Sequence, residues 1–251
     1  MSSNRRREWL LRLASRFVSG SPGQELLGRL DYYVDPELRL SWGGALNGQA
    51  GRRVLLEELF RAASFDAVVE TGTYHGTTTR YLAELARAQV VTIERDPRHC
   101  GFARQALRDL TSVQVCLGDS ERSLPPLLAS LAERSSRPFV YLDAHWGPAL
   151  PLAVELSLTF GALRHAVAAV DDFRVPGDTG YGFDDYGPGA TLDLETFAPL
   201  FSELGLTPFF PTLPSAEESG MRRGVVLLAA ADDELALLRR MPLLRERPLR
   251  S

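Results

Sequence analysis

Between residues 67 and 172 five short apolar runs alternate with segments of helical periodicity, and an acid stands at the end of every run. Ala67–Glu70, Gln89–Glu94 and Phe139–Asp143 end on their own carboxylates. Val113–Leu117 is closed by Gly118-Asp119, and Ala166–Val170 runs into Asp171-Asp172. Short apolar runs of this kind are strands buried on both faces, and with helices between them they specify a parallel sheet joined by crossovers. The helical patterns fall at 52–63, 77–87, 97–110, 124–134 and 150–163.

The pattern changes after a Gly- and Asp-rich loop at 173–190. A helix near 192–204 is followed by strands near 206–211 and 223–230, joined through Pro214–Gly220 with the form of a hairpin connection. The expected fold is therefore α/β: a seven-stranded, mostly parallel sheet with helices on both faces and a terminal antiparallel β-hairpin. Residues 1–50 read as an N-terminal helical extension that lids the site, and residues 51–251 as the main domain. Within the extension, Arg5-Arg6-Arg7 precedes Trp9, Leu10, Leu13 and Phe17 at helical spacing. Such an amphipathic arm packs on the body or on a second subunit, so a homodimer is expected.

A hydrophobic content of 45% over 251 residues supplies a real core. A net charge of -4 lacks the basic excess of a nucleic-acid binder. Every one of the 28 basic residues counted as Lys+Arg is Arg, which excludes a lysine Schiff base or lysine general base. Two cysteines, Cys100 and Cys116, are too few for a disulfide framework and are expected as buried thiols. No run approaches a membrane span and no signal-peptide pattern is seen, so the expected location is cytoplasmic, with no membrane partner.

Ligands of open α/β sheets bind beyond the carboxyl ends of the strands. Buried carboxylates are costly unless paired or solvated, so a row of them at that edge points to a polar ligand. The first loop, Glu70-Thr71-Gly72-Thr73-Tyr74-His75-Gly76, opens into Thr77-Thr78-Thr79. It lacks the third glycine of a pyrophosphate-binding turn, and its acid repels phosphate, which disfavours a nicotinamide-dependent oxidoreductase. The same acid suits a cationic group. Glu94, about twenty residues beyond Gly72, stands where a carboxylate accepts from ribose hydroxyls. Asp119, with Ser120 behind it, can meet an adenine amino group. Taken singly, each acid can equally be a helix cap.

Taken together and in order, these features resemble the class I S-adenosylmethionine-dependent methyltransferases, whose fold is Rossmann-like, over about residues 50–230. The resemblance implies S-adenosylmethionine as cofactor, contacted by Glu70, Gly72, Thr73, Gly76, Thr77, Thr78, Glu94, Asp119, Ser120 and Asp143. A second cluster joins Asp143-Ala144-His145-Trp146 to Asp171-Asp172. It resembles the metal-dependent O-methyltransferases of the catechol type and of the type acting on natural-product sugars. That resemblance implies a small hydroxylated acceptor, Mg²⁺ or another divalent cation on Asp143, Asp171 and Asp172, and catalytic roles for Asp143 and His145. His145 would be a general base or an added ligand. The catechol pattern is broken in one respect, since no Lys follows Trp146. Other readings stay open: acids that only cap helices, a packed structural His145, or a non-catalytic member of the same fold. His75 is expected to shape the pocket, and His99 and His165 to be boundary residues. Asn47 and Gln49 are candidate ligand contacts, and the loop at 174–189 is a candidate acceptor lid.

Overall fold

The computed structural model describes residues 20–134, 137–145, 147 and 150–249; the arm at 3–18 and Trp146 lie outside them. Helix α1 (Ser21–Val34) leads through two 3-10 turns, Pro36–Gly43 and Ala45–Gly48, into α2 (Ala50–Ala62). Four strand–helix units and a fifth strand follow: β1 (Ala67–Thr71), α3 (Thr77–Ala86), β2 (Gln89–Glu94), α4 (Pro97–Ala106), β3 (Val113–Leu117), α5 (Ser120–Ala132), β4 (Pro138–Leu142), α6 (Leu152–Ala162) and β5 (Val167–Asp171). The chain closes with α7 (Leu194–Glu203), β6 (Thr207–Pro211), β7 (Val225–Ala229), α8 (Asp232–Arg239) and β8 (Leu244–Glu246).

The strand order is β3-β2-β1-β4-β5-β7-β6-β8. β1 to β5 run parallel, while β7 is antiparallel to β5 and to β6. This is the expected Rossmann-like sheet with one strand more than the sequence suggested. β8 adds to the outer edge of β6, Phe209 facing Glu246, so the terminal hairpin is widened into three antiparallel strands. Its three residues are too few to show a period in the sequence. Helix α5 also begins a turn earlier than expected, because the Asp119 carboxylate accepts from the Glu121 N–H and starts the helix at Ser120.

Every residue of β1, β4, β5 and β7 is buried, and alternate residues feed two cores. Val69, Val140, Ala168 and Val170 face α5, α6 and α7 on one side. Val68, Phe139, Tyr141, Val167 and Ala169 face α2, α3 and α8 on the other. Helix α1 packs along α4, held by the ion pairs Arg98–Asp31 (2.5 Å) and Arg104–Glu25. Of the described residues of the extension, the turn at 36–48 reaches the carboxyl edge of the sheet, where Trp42 and Asn47 line a cavity. Cys100 is buried, which pushes its thiol up to about 11, whereas Cys116 is only half-buried, a correction to the expected pair of buried thiols. Among the described residues, no helix is long and apolar enough to cross a membrane.

Candidate active site

The loop after β1 is sewn between its neighbours. Gly72 donates to the Ile93 carbonyl at 2.9 Å, and the Asp143 N–H donates to the Thr71 carbonyl at 3.0 Å. At Gly72, φ is +84° and an added Cβ would lie 2.2 Å from the Asp143 carbonyl oxygen, so only glycine fits. Gly76, at φ +78°, turns the chain into α3. Thr73 meets Thr92 hydroxyl to hydroxyl at 2.5 Å. Glu94 is fixed by two backbone donors, Tyr74 N–H at 2.7 Å and Asp96 N–H at 2.8 Å.

Two cavities meet at this loop, sharing Gly72 and Tyr74. The first, about 360 Å³, runs past Ile93, Glu94, Asp119, Ser120, Ala144 and Pro151. Its chemistry fits an adenosine: a fixed carboxylate for vicinal hydroxyls, apolar walls for a flat ring, and an acid with a helix N-terminus at the far end. The second, about 240 Å³, is lined by Thr73, Thr77, Thr78, Asp143, His145 and the pair Asp171-Asp172, among others. Glu70 and Gly76 line neither cavity. The pleat turns Glu70 under the loop, where the Thr79 and Thr92 hydroxyls donate to it at 2.5 and 2.6 Å and burial raises its pKa to about 7. It supports the loop rather than facing the space above it.

The histidines separate clearly. His75 is stacked between Tyr74 and Phe102, with ring centroids at 3.8 and 4.1 Å, and its Nδ1 lies 2.8 Å from Ser41 Oγ. It fastens the turn at 36–43, and burial lowers its pKa to about 4. His99 is half-buried at the expected boundary and also lines the first cavity, its ring edge against Tyr74. His165 is largely exposed, 3.1 Å from Glu234. His145 is 2% exposed and lines the second cavity. Its Nε2–H donates to the Leu142 carbonyl at 3.0 Å, so Nδ1 carries the lone pair, and Nδ1 has no partner among the described residues. Burial lowers the pKa of this imidazole to about 4, which keeps it neutral.

The acids of the second cavity are brought together, but guanidinium groups occupy them. Asp171 lies on the Tyr141 face of the sheet and accepts from Arg52, from Tyr141 Oη at 2.8 Å, from Asn47 at 3.4 Å and from the Asp172 N–H at 2.8 Å. Asp172, held at φ +54°, accepts from Arg223 Nε at 2.6 Å. The other arm of Arg223 holds Asp184 of the following loop. Asp143 alone has no side-chain partner among the described residues, and burial together with Asp171 and Asp172 pushes its pKa well up. No group of three His, Cys, Asp or Glu side chains arranged for a metal occurs among the described residues. The trio Asp143, Asp171 and Asp172, expected as a divalent-cation site, therefore does not fit one as arranged: two of its members are already spent on arginine.

Arg52 and Arg223 escaped the sequence reading. Arg52 precedes Leu55 and Leu56 by one helical turn, on the stripe of α2 that enters the core, and that register was a legible sign of its inward course. It also donates to the Arg223 and Gly224 carbonyls. Gln49, a candidate ligand contact, instead pairs both ways with the Arg223 backbone at 2.8 and 3.0 Å. Glu218 caps α2 across the chain, accepting from the Gly51 and Arg52 N–H groups at 2.8 and 3.0 Å. The loop at 174–189 contributes Asp184 and Tyr186 to the cavity wall, Tyr186 donating to Asp184 at 2.6 Å. Among the described residues, four of the seven non-glycine residues with left-handed backbone (Trp42, Asn47, Tyr74 and Asp172) line this same cavity. Such strain gathers where surrounding structure over-determines a binding site.

No family model matches the chain, and no curated protein matches it. Solved structures do. The O-methyltransferase TomG from Streptomyces achromogenes, involved in tomaymycin synthesis and solved with SAM, is 19% identical, with a TM-score of 0.54 over 92% of this chain and 100% of that one. An O-methyltransferase from Bacillus cereus in complex with SAH is 18% identical, with a TM-score of 0.56 over 82% and 90%. Cofactor-bound Rv0187 from MTB is 24% identical, with a TM-score of 0.54 over 72% and 80%. These are likenesses of architecture, and with the sheet order and the loop after β1 they give the chain the fold of the class I S-adenosylmethionine-dependent methyltransferases.

Proposed function

We propose that this chain is an S-adenosylmethionine-dependent methyltransferase that moves a methyl group to a hydroxyl of a small molecule. The observation that carries the reading is the meeting of two cavities at Gly72 and Tyr74, one with Glu94 and Asp119 in its wall, the other lined by His145, whose buried Nδ1 has no partner among the described residues. S-adenosylmethionine bound along this edge supplies an electrophilic methyl group. Glu94 accepts from the ribose hydroxyls, and Asp119 and Ser120 meet the adenine rim. Asp143, at the junction, faces the cationic end of the cofactor. The acceptor fills the second cavity, a volume suited to a small molecule rather than a nucleic acid. His145 Nδ1 takes the hydroxyl proton as the oxygen gains the methyl group, and the Leu142 carbonyl holds the imidazole in the tautomer this requires. Alignment of the two bound molecules supplies much of the rate.

Titration calorimetry with S-adenosylmethionine, S-adenosylhomocysteine and NADH tests this reading. The expected result is binding of the first two and not the third. A chain that binds neither adenosyl compound is not a methyltransferase of this kind.

A further inference from the structure

We infer that Arg52 and Arg223 stand in place of a divalent cation, so that this chain neutralises its own aspartate cluster and fixes the acceptor wall without a metal. The inference rests on the proposed function for the meaning of the second cavity, though not for the arrangement of its charges.

Asp143, Asp171, Asp172 and Asp184 line one cavity. Four carboxylates so placed cannot all stay ionised without cations among them. A hard divalent ion would answer this with oxygen ligands drawn from several of the four. The lone pairs are committed elsewhere. A carboxylate offers about four acceptor sites, and Asp171 has all of them taken: Oδ1 by Arg52 and the Asp172 N–H, Oδ2 by Tyr141 and Asn47. Arg52 is itself 3% exposed, with Nη2 committed to the carbonyls of residues 223 and 224, so it does not swing aside for an incoming ion.

Arg223 does what a bridging metal does. Its planar fork places Nε on Asp172, at the end of β5, and Nη2 on Asp184, in the loop beyond. The loop is thereby tied to the sheet edge, and Tyr186 is held against Asp184 and the His145 carbonyl. Among the described residues, Asp143 remains as the one open carboxylate of the four, too few donors for a divalent ion.

The test uses the full chain. Mn²⁺ is titrated into the wild type and followed by electron paramagnetic resonance, with and without S-adenosylhomocysteine. Thermal midpoints are measured in excess Mg²⁺ and in chelator. The expected wild type leaves the free Mn²⁺ signal undiminished and melts at the same temperature in both buffers. Arg223→Ala is expected to melt about 5 °C lower or more, and its midpoint is expected to rise on adding Mg²⁺, which can then reach Asp172 and Asp184. If Arg223→Ala does not accumulate folded, Asp184→Asn, which frees one arm of the fork, is expected to lower the midpoint without gaining a response to Mg²⁺. One Mn²⁺ per wild-type chain, lost in Asp143→Ala, overturns the inference. So does an Arg223→Ala or Asp184→Asn protein that melts like the wild type. Failure to bind S-adenosylhomocysteine strikes the proposed function alone and leaves the cation measurements standing.

Discussion

Glu155, on α6, is fully buried at 0% exposure, and neither of its carboxyl oxygens is hydrogen-bonded among the described residues. Among the described residues, Thr71 Oγ1 and Thr159 Oγ1 also stand outside hydrogen-bonding geometry. Burial raises the Glu155 pKa from 4.5 to about 7, eased only in part by the nearby Ser120 and Thr71 hydroxyls. The folded chain thus keeps Glu155 protonated at a pH where the unfolded chain has already ionised it. Its contribution is whole below pH 4.5, declines as the pH rises, and is lost above about 7. Each tenfold change in proton affinity is worth ~1.4 kcal/mol, so the penalty at high pH approaches about 3 kcal/mol. Glu155→Gln keeps the shape and removes the ionisation. It is expected to match the wild type or fall slightly below it near pH 5, and to exceed it by up to ~3 kcal/mol near pH 9. For a chain of this size that corresponds to roughly 6–12 °C in midpoint. Urea unfolding of both proteins across this pH range measures the difference directly, and the shifts of Glu70 and Asp172 cancel because both proteins share them. A difference that does not change with pH would falsify the account of Glu155 as a strained, protonated acid.

Removing one partner of a buried pair leaves the other charge uncompensated, so Arg52→Met is expected to cost ~3–5 kcal/mol in urea unfolding. Adding Asp171→Asn should restore part of that loss. His145→Ala is expected to leave S-adenosylhomocysteine affinity unchanged in calorimetry while lowering turnover, with any acceptor the wild type methylates, by about 10²–10⁴-fold. The wild-type rate should fall as the pH drops through about 4, where His145 becomes protonated and cannot accept a proton. Glu94→Ala is expected to weaken S-adenosylhomocysteine binding by roughly 10–100-fold, because a charged acceptor is worth ~1.5–3 kcal/mol and the Tyr74 and Asp96 N–H groups lose their partner as well.

The strands of the parallel half were legible because each is a short apolar run between helical patterns, buried throughout in β1, β4 and β5 and only partly in β2 and the edge strand β3. β2 and β3 fall at the residues expected. Short elements escaped: α8 covers barely two turns, and β8 has meaning only against β6. The acids at the strand ends could be found in the sequence, but not which way each would face. Glu70 and Thr71 are consecutive residues of β1. The pleat gives Glu70 to the α3 side, under its own loop, and Thr71 to the side of α6 and Glu155. The cationic partners were hidden for a different reason. The register of Arg52 on α2 shows that it turns inward but not which acid it meets until the end of β5 is laid beside it, and Arg223 acts from the far end of the chain. Carboxylates without visible partners therefore suggested a metal, while the compensating charges lay in segments that carry no motif.

The capping of α2 by Glu218, and the grip of Arg52 on the carbonyl of residue 223 across a separation of 171 residues, bear on the order in which a growing chain can become a working one. Domains are made from the N-terminus, and β1 to β5 leave the ribosome well before residue 218 is joined. Until then α2 has no cap, Arg52 lacks both carbonyls, and the wall that carries Arg223 does not exist. The nascent chain can assemble the cavity walled by Glu94 and Asp119 early. It closes the cavity lined by Asp171 and Asp172 only when residues 218–224 arrive.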